Sequence, residues 1–209
     1  MVESIIVVIL AYFIGAIPSG FIIGKCHGID IRQEGSCNTG ATNVTRCIGK
    51  QAGVFCFFCD FLKGALPVLA ARFLAPYAWV QIAAFAVAVA GHMFPVYLKF
   101  KGGKGIATAA GGAFAIAPLP LLAALALWYI VFRISRYVSL ASIVAAAALP
   151  AGALVLRLVF DPLKAHFLLR VQWTAVIAFA VIGALAVFRH RSNIVRLLNG
   201  TESRFEKKK

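Results

Sequence analysis

The sequence predicts an all-α integral membrane protein with seven transmembrane helices. Of its 209 residues, 62% are hydrophobic and only 13% are charged, and the mean hydropathy is +0.90. A soluble domain of this size does not have that composition. The apolar residues also fall into runs of membrane-spanning length, separated by basic or proline-bearing turns. We therefore assign residues 1–209 to one polytopic membrane domain.

Seven apolar runs define the predicted spans, at residues 4–24, 53–72, 78–98, 106–117, 119–132, 139–157 and 171–188. The first run carries Glu3 instead of a basic segment, so we interpret it as a retained helix and not as a cleaved signal peptide. Residues 106–132 leave two interpretations open, one long helix or two short helices broken at Pro118 and Pro120. Two short helices would each reach about 20 Å, so they would tilt, thin the bilayer or form a half-buried hairpin.

Lysine and arginine counts on the two sides of the membrane decide between these interpretations. With two short helices and the N-terminus outside, 16 basic residues face the cytoplasm and 4 face outside, whereas one long helix makes the split 10 to 10. Because cytoplasmic loops carry the excess of lysine and arginine, we predict seven spans, with the N-terminus outside and the C-terminus in the cytoplasm. The four outer residues would be Arg72, Arg157, Lys164 and Arg170.

This topology places the stretches rich in polar residues and glycine on the cytoplasmic side. They are the loops 25–52, 99–105 and 133–138 and the tail 189–209. The formal net charge of +14 does not indicate a nucleic-acid partner, because the basic residues alternate with spans and do not form one polar face. They suit anionic lipid head groups and an anionic substrate. The sequence has no internal repeat that would favour the inverted halves of many transporters.

The chain is organised around the stretch GHMFPVYLKFKGGKGIATAAGG, residues 91–112. Gly102, Gly103 and Gly105 surround Lys104, so backbone N–H groups and an ammonium could converge on one small anion, most naturally a phosphate. The stretch is not a Walker loop, because Gly105 stands where Ser or Thr would follow the lysine. The alternative is a basic turn that only follows the charge rules of a membrane surface.

A second polar stretch, IDIRQEGSCNTGATNVTRCIGKQAG, occupies residues 29–53. Its neutral hydrogen-bonding groups are on Ser36, Asn38, Thr42 and Asn43. Arg46 adds a planar guanidinium that suits phosphate or carboxylate oxygens, although it could also bind lipid phosphate alone.

Two charged residues and a histidine lie inside or at the ends of predicted spans. Asp60 and Lys63 share one helix face, and we expect an ion pair between them, or a pairing with Lys104, rather than acid–base catalysis. His92 is either a general base or a hydrogen-bonded structural residue. The motif CxxC that begins at Cys56 lies in an apolar run, where a buried small hydrophobe is the usual role, so we predict no metal.

The second half of the chain contributes two more pairs of polar residues. Ser139 and Ser142 lie at a predicted helix start, where they could cap the helix or bind a ligand oxygen. The tail places His190 and Asn193 directly after the last span, where a basic collar at the membrane exit is the alternative interpretation.

Together these motifs resemble the bacterial acyl-phosphate:glycerol-3-phosphate acyltransferases of the PlsY type. The resemblance rests on GAIPSG, IDIRQEGSCNTGATNVTR, DFLKG, GHMFPVYLKFKGGKGIAT, RYVSLASI and HRSNIVRLLNGTE, in this order, between about residues 11 and 202. It implies a seven-helix inner-membrane enzyme whose cytoplasmic site transfers a fatty acyl group from acyl phosphate to the 1-hydroxyl of glycerol 3-phosphate. The product would be 1-acyl-glycerol 3-phosphate, or lysophosphatidic acid, the first intermediate of phospholipid synthesis.

The resemblance also implies which residues form the site. The catalytic residues would be Lys104, Arg46, Ser36, Ser142, Asn193 and His190. The residues that bind substrate or phosphate would be Asn38, Thr42, Asn43, Gly102, Gly103, Gly105 and His92. Cys37 departs from the family pattern, which usually has glycine there, and a positive φ at this position would require the loop to bend differently.

Both expected substrates carry phosphate, which fits a site of basic residues, glycines and neutral donors. Because an acyl phosphate is already activated, positioning and stabilisation of the departing phosphate suffice, and we expect direct attack by the substrate hydroxyl without cofactor or covalent nucleophile. A phosphate oxygen could take the proton. The dyad of acyl-CoA-dependent glycerolipid acyltransferases, His and Asp separated by four residues, is absent because Tyr97 stands in the position of the Asp relative to His92.

The expected partners are acyl phosphate, glycerol 3-phosphate, membrane lipid and, through the donor, an enzyme that produces acyl phosphate. A membrane transporter for phosphate or a phosphate ester is the alternative function. It would need access from both faces of the membrane, and the predicted outer turns lack matching polar clusters. A membrane scaffold is a third interpretation.

Overall fold

The computed structural model describes residues 1–160 and 171–205, which form ten α-helices and no β-strand within those ranges. The helices are α1 (Val2–Ala16), α2 (Ser19–Cys26), α3 (Ala41–Cys47), α4 (Lys50–Leu74), α5 (Ala78–Met93), α6 (Ile106–Ile116), α7 (Pro118–Ser135), α8 (Val138–Phe160), α9 (Trp173–Arg189) and α10 (Arg191–Leu198). The predicted all-α class is confirmed. Lys164 and Arg170, and the three lysines 207–209, lie outside the described residues.

The chain forms two compact units, Met1–Ile116 and Ala117–Lys209. The first contains α1 to α6, and the second contains α7 to α10. The assignment of the whole chain to one membrane domain stays a prediction.

Five stretches of the described residues are long and apolar enough to cross a membrane: Val2–Cys26, Lys50–Leu74, Ala78–Leu98, Pro118–Ser135 and Val138–Val159. A sixth is added if α9 and α10, which are bent by 56° relative to each other, count as one span. The protein is therefore a helical membrane protein with several spans. Seven crossings and the orientation of the termini stay predictions.

Proline residues shape two of the predicted apolar stretches. The first span, 4–24, is interrupted between α1 and α2, where Ile17 and Pro18 leave the helical conformation because proline lacks an N–H group and restricts the residue before it. The predicted break in residues 106–132 is confirmed, since Ala117 has φ −151° and ψ 90°. The prediction that the second of these helices is short was wrong. Helix α7 has 18 residues, because a first turn tolerates Pro118 and Pro120.

The predicted loops are shorter than expected because they contain helices. Residues 25–52 hold α3, and α4 begins at Lys50. The link 133–138 shrinks to Arg136 and Tyr137, with Arg136 in the left-handed region at φ 63°. The tail 189–209 holds α10.

Close backbone contacts pack the first unit. A Cβ on Gly111 would collide with the Phe61 carbonyl, so only glycine lets α6 approach α4 this closely. The same holds for Gly64 against the Thr108 carbonyl. The first turn of α6 is therefore fixed against the middle of α4, where the buried charges lie.

Aromatic stacking and a docked tail organise the second unit. Helix α8 packs against both α7 and α9. The rings of Trp128 and Phe132 stack with their centroids 5.1 Å apart, and Phe205 meets Phe132 edge to face at 6.0 Å. The Phe205 N–H donates to the Arg136 carbonyl at 2.9 Å, which fixes the end of the tail beside the α7–α8 turn.

Candidate active site

Asn43 organises the polar loop, defined here as residues 31–40. Its side-chain amide donates to the carbonyls of Ile31 at 2.9 Å and Glu34 at 3.0 Å, and its Oδ1 accepts the Ser36 N–H at 2.8 Å. The residue is only 1% exposed. Both amide hydrogens and the oxygen are used by the loop, so Asn43 holds Ser36 in place, and its role in binding substrate stays a prediction.

The polar loop turns through a cysteine in the left-handed region. Cys37 has φ 56°, a conformation that costs a residue with a Cβ about 1 kcal/mol relative to glycine. The adjoining Asn38 accepts the Gly40 N–H on its Oδ1 at 2.9 Å, which shapes the chain just before α3. Cys37 therefore adopts the positive φ itself.

The remaining polar groups of this stretch are more accessible. Ser36 and Arg46 are exposed, and Thr42 is half-buried. Thr42 and Arg46 lie four residues apart in α3 and so share one face of this helix. These side chains can contact a ligand that reaches the loop.

The Gly–Lys loop, defined here as residues 99–105, is bound to the end of α5 through its backbone. The Gly102 N–H donates to the Met93 carbonyl at 3.2 Å, and the Gly103 N–H donates to the His92 carbonyl at 3.1 Å. These N–H groups satisfy carbonyls that the helix end leaves without intrahelical partners, and the binding of a phosphate by Gly102 and Gly103 stays a prediction.

The structure explains why two positions of the Gly–Lys loop are glycine. A Cβ on Gly103 would collide with Nε2 of His92, and Gly105 has φ 81° just before α6 begins. The lysine between them is half-buried, whereas Lys101 is exposed. The loop therefore presents Lys104 from a backbone that is fixed on both sides.

Buried charges lie beneath the Gly–Lys loop. Lys63 Nζ is 2.8 Å from Asp60 Oδ1, and the two side chains are 6% and 3% exposed. His92 Nδ1 is 3.7 Å from the same Asp60 oxygen, and Cys56 Sγ donates to the other oxygen at 3.8 Å. The predicted Asp60–Lys63 ion pair is confirmed.

A small pocket in the first unit lies between this cluster, the polar loop and the segment that precedes the Gly–Lys loop. Asp60, Lys63 and His92 line it, together with Thr39 of the polar loop and Leu98, which directly precedes the Gly–Lys loop. The structure thus brings the two stretches of the first unit that the sequence singled out to one place.

The predicted residues of the second unit are buried and hydrogen-bonded. His190 Nδ1 lies 2.7 Å from the Ala186 carbonyl, so its Nδ1 carries the proton in this contact. Trp128 Nε1 donates to Ser142 Oγ at 3.2 Å. Asn193 is 4% exposed.

Glu202 is a residue that the sequence reasoning did not assign to a role. Its Oε1 accepts hydrogen bonds from Ser139 Oγ and Asn193 Nδ2, both at 2.7 Å, and its Oε2 accepts from Arg196 Nε at 2.7 Å. Burial raises the pKa of Glu202, but these hydrogen bonds outweigh burial, so the pKa lies below its ordinary value. An acidic residue in a basic tail was the available signal.

The same interactions define the position of Asn193. Its amide nitrogen donates to Glu202, so Asn193 connects α10 to the segment that follows this helix. Ser139 connects the start of α8 to the same carboxylate. The assignment of Ser142, His190 and Asn193 to catalysis stays a prediction.

Comparison with known proteins identifies the family. The family described as glycerol-3-phosphate acyltransferase matches residues 5–200. This chain belongs to the glycerol-3-phosphate acyltransferase family. A relative of that name from Trichlorobacter lovleyi is 46% identical over 94% of each chain, and one from Aquifex aeolicus is 44% identical over 97% of this chain and 100% of its own.

A solved structure supports the same assignment. The crystal structure of PlsY, an integral membrane glycerol 3-phosphate acyltransferase, in its glycerol 3-phosphate form is 43% identical, with a TM-score of 0.85 over 97% of this chain and 96% of that chain. Its lysophosphatidic acid form gives a TM-score of 0.82. The acyltransferase family therefore replaces the transporter alternative.

Proposed function

We propose that this chain transfers a fatty acyl group from an acyl phosphate to the 1-hydroxyl of glycerol 3-phosphate. The hydroxyl oxygen attacks the acyl carbonyl carbon, the bond from that carbon to the phosphate oxygen breaks, and inorganic phosphate leaves with the hydroxyl proton. The products are 1-acyl-glycerol 3-phosphate, also called lysophosphatidic acid, and phosphate. No residue has to form a covalent intermediate, because the anhydride is already activated.

The half-buried Lys104 in the Gly–Lys loop is the observation that carries this proposal. Its ammonium stands between two glycines at the start of α6, in a family whose relatives are named for glycerol 3-phosphate. A cation held there by a fixed backbone stabilises charge on a phosphate oxygen without rearranging during the reaction. Ser36, Thr42 and Arg46 add accessible hydrogen-bonding groups in the same unit.

The donor is tested by turnover of the purified full-length protein in detergent. We expect lysophosphatidic acid from acyl phosphate and glycerol 3-phosphate, and no turnover when acyl-CoA replaces acyl phosphate, because the His and Asp dyad of acyl-CoA-dependent enzymes is absent at His92. Comparable rates with both donors would contradict the assignment of the donor. Product identity is checked by mass spectrometry, with omission of glycerol 3-phosphate as the control.

The orientation in the membrane is a further part of the proposal, motivated by the split of 16 to 4 basic residues. A topology reporter fused after Lys209 should give a cytoplasmic signal, which places the Gly–Lys loop and the polar loop on that side of the bacterial inner membrane. A second fusion in the predicted outer turn near Arg72 is the matched control and should report the opposite side. A periplasmic signal after Lys209 would overturn the seven-span topology.

A further inference from the structure

The cluster of Asp60, Lys63 and His92 lies beside the two loops that we propose to bind substrate, yet the reaction uses neither the carboxylate nor the Lys63 ammonium. We infer that this cluster is a positioning device, which sets the orientation of the Gly–Lys loop and thereby of Lys104. The inference rests on the proposed function, because it assigns the cluster a role in holding Lys104 against the phosphate that leaves the acyl donor.

The cost of burying these charges is the first reason. Asp60 and Lys63 are 3% and 6% exposed, in a helix apolar enough to cross a membrane. The free energy needed to remove two charges from water offsets much of their mutual attraction. An ion pair of this kind is therefore often no more stabilising than two apolar side chains of similar volume. Stability alone therefore does not account for the pair, and charged residues in membrane helices usually serve function.

The contacts of His92 connect the ion pair to the Gly–Lys loop. The Nδ1 edge of the ring faces Asp60 Oδ1 at 3.7 Å, and Nε2 lies so close to Gly103 that no Cβ fits there. The His92 carbonyl also accepts the Gly103 N–H at 3.1 Å. A rotation of the imidazole ring would therefore displace the residue directly before Lys104.

The contacts of Lys63 connect the same ion pair to the polar loop. Its Nζ donates to the Ile17 carbonyl at 2.7 Å, at the break between α1 and α2. Helix α2 begins at Ser19, two residues after Ile17. Gly20 of this helix lies directly against the Thr39 carbonyl. The ion pair thus holds the backbone next to the polar loop, and Asp60, Lys63 and Thr39 line the same pocket.

Three substitutions at His92 test the inference, because each retains a different part of the ring. His92→Asn places an amide near the position of Nδ1 and can still face Asp60, whereas His92→Gln places an amide near the position of Nε2. His92→Leu keeps volume and removes both nitrogens. Each variant is purified as the full chain, and KM for glycerol 3-phosphate, kcat with acyl phosphate and the thermal midpoint without substrate are measured.

We expect His92→Leu to lower kcat at least about tenfold, since a small displacement of a positioned group costs up to about a hundredfold in rate. His92→Asn should recover part of this loss, because its amide still faces Asp60 although the contact to Gly103 is lost. His92→Gln should recover less, because its amide does not face Asp60. Recovery by His92→Gln instead would mean that His92 binds the phosphate directly and would overturn the inference. Equal kinetic constants for all three variants and the natural protein would also overturn it.

A double variant separates positioning from stability. Asp60→Leu combined with Lys63→Met replaces the ion pair by apolar side chains and avoids leaving one buried charge unpaired. We expect this protein to keep its thermal midpoint but to show the lowered kcat; a stable double variant with natural kinetics would refute the positioning role. If the double variant does not fold, the ion pair is required for stability, which also counts against the inference.

Ser4→Ala is the matched control, because Ser4 is a buried polar residue of the same unit at the far end of α1 from Ile17. Its kinetic constants should equal those of the natural protein. Absence of turnover in the natural protein would contradict the proposed function. Failure of the inference would instead leave the natural protein active and would appear only in the His92 variants and the double variant.

Discussion

Lys104→Ala is expected to lower kcat at least about a hundredfold, the scale for losing one preorganised donor in a site from which water is excluded. The bond between the acyl carbon and the phosphate oxygen breaks with growing negative charge on that phosphate, and the Lys104 ammonium is held half-buried where it can stabilise this charge. The backbone of the Gly–Lys loop is bound to α5, so the variant should fold normally. Steady-state kinetics with acyl phosphate and glycerol 3-phosphate, together with the thermal midpoint, measure both effects.

Lys101→Ala is the matched control in the same loop. Lys101 is exposed, so it should contribute mainly to attraction of anions, and its smaller effect should fade as salt is added. Equal losses in both variants, or natural activity in a folded Lys104→Ala protein, would show that this loop is only a feature of the membrane surface. Arg46 would then be the next candidate for holding the phosphate.

Glu202→Ala is expected to destabilise the protein by about 3 kcal/mol, because it leaves Ser139 and Asn193 buried without their hydrogen-bond acceptor and also removes the contact to Arg196. For a chain of this length the change corresponds to a fall in the thermal midpoint on the order of 10 °C. Glu3→Ala, which removes an exposed carboxylate from the first turn of α1, is the control and should change the midpoint little.

The same carboxylate should give a pH signature. Because the pKa of Glu202 is lowered in the folded protein, its stabilisation is present above the ordinary value of 4.5 and is lost as the pH falls below that value through the lowered pKa. The difference in thermal midpoint between the natural protein and Glu202→Gln should therefore shrink under acidic conditions. A difference that does not change with pH would show that the ionised carboxylate is not what holds the tail.

The sequence by itself determined the class of the protein and the stretches that matter. Apolar runs report how long a segment stays out of water, so they predicted the helices, and Pro118 and Pro120 marked a break because proline cannot continue a hydrogen-bonded turn. The spacing of Asp60 and Lys63 predicted their ion pair, since residues three apart share a helix face and buried charges need partners. The ordered motifs also indicated the family.

Only the tertiary structure decided what each polar residue contacts. Asn43 and the amides of Gly102 and Gly103 were expected to bind a ligand, but the fold places carbonyl groups beside them that no local pattern reveals. Likewise, Glu202 meets Ser139 across 63 positions of sequence. Hydrogen bonds act over about 3 Å, whereas a sequence pattern reports which face of an element a residue occupies and not which distant backbone comes to lie against it.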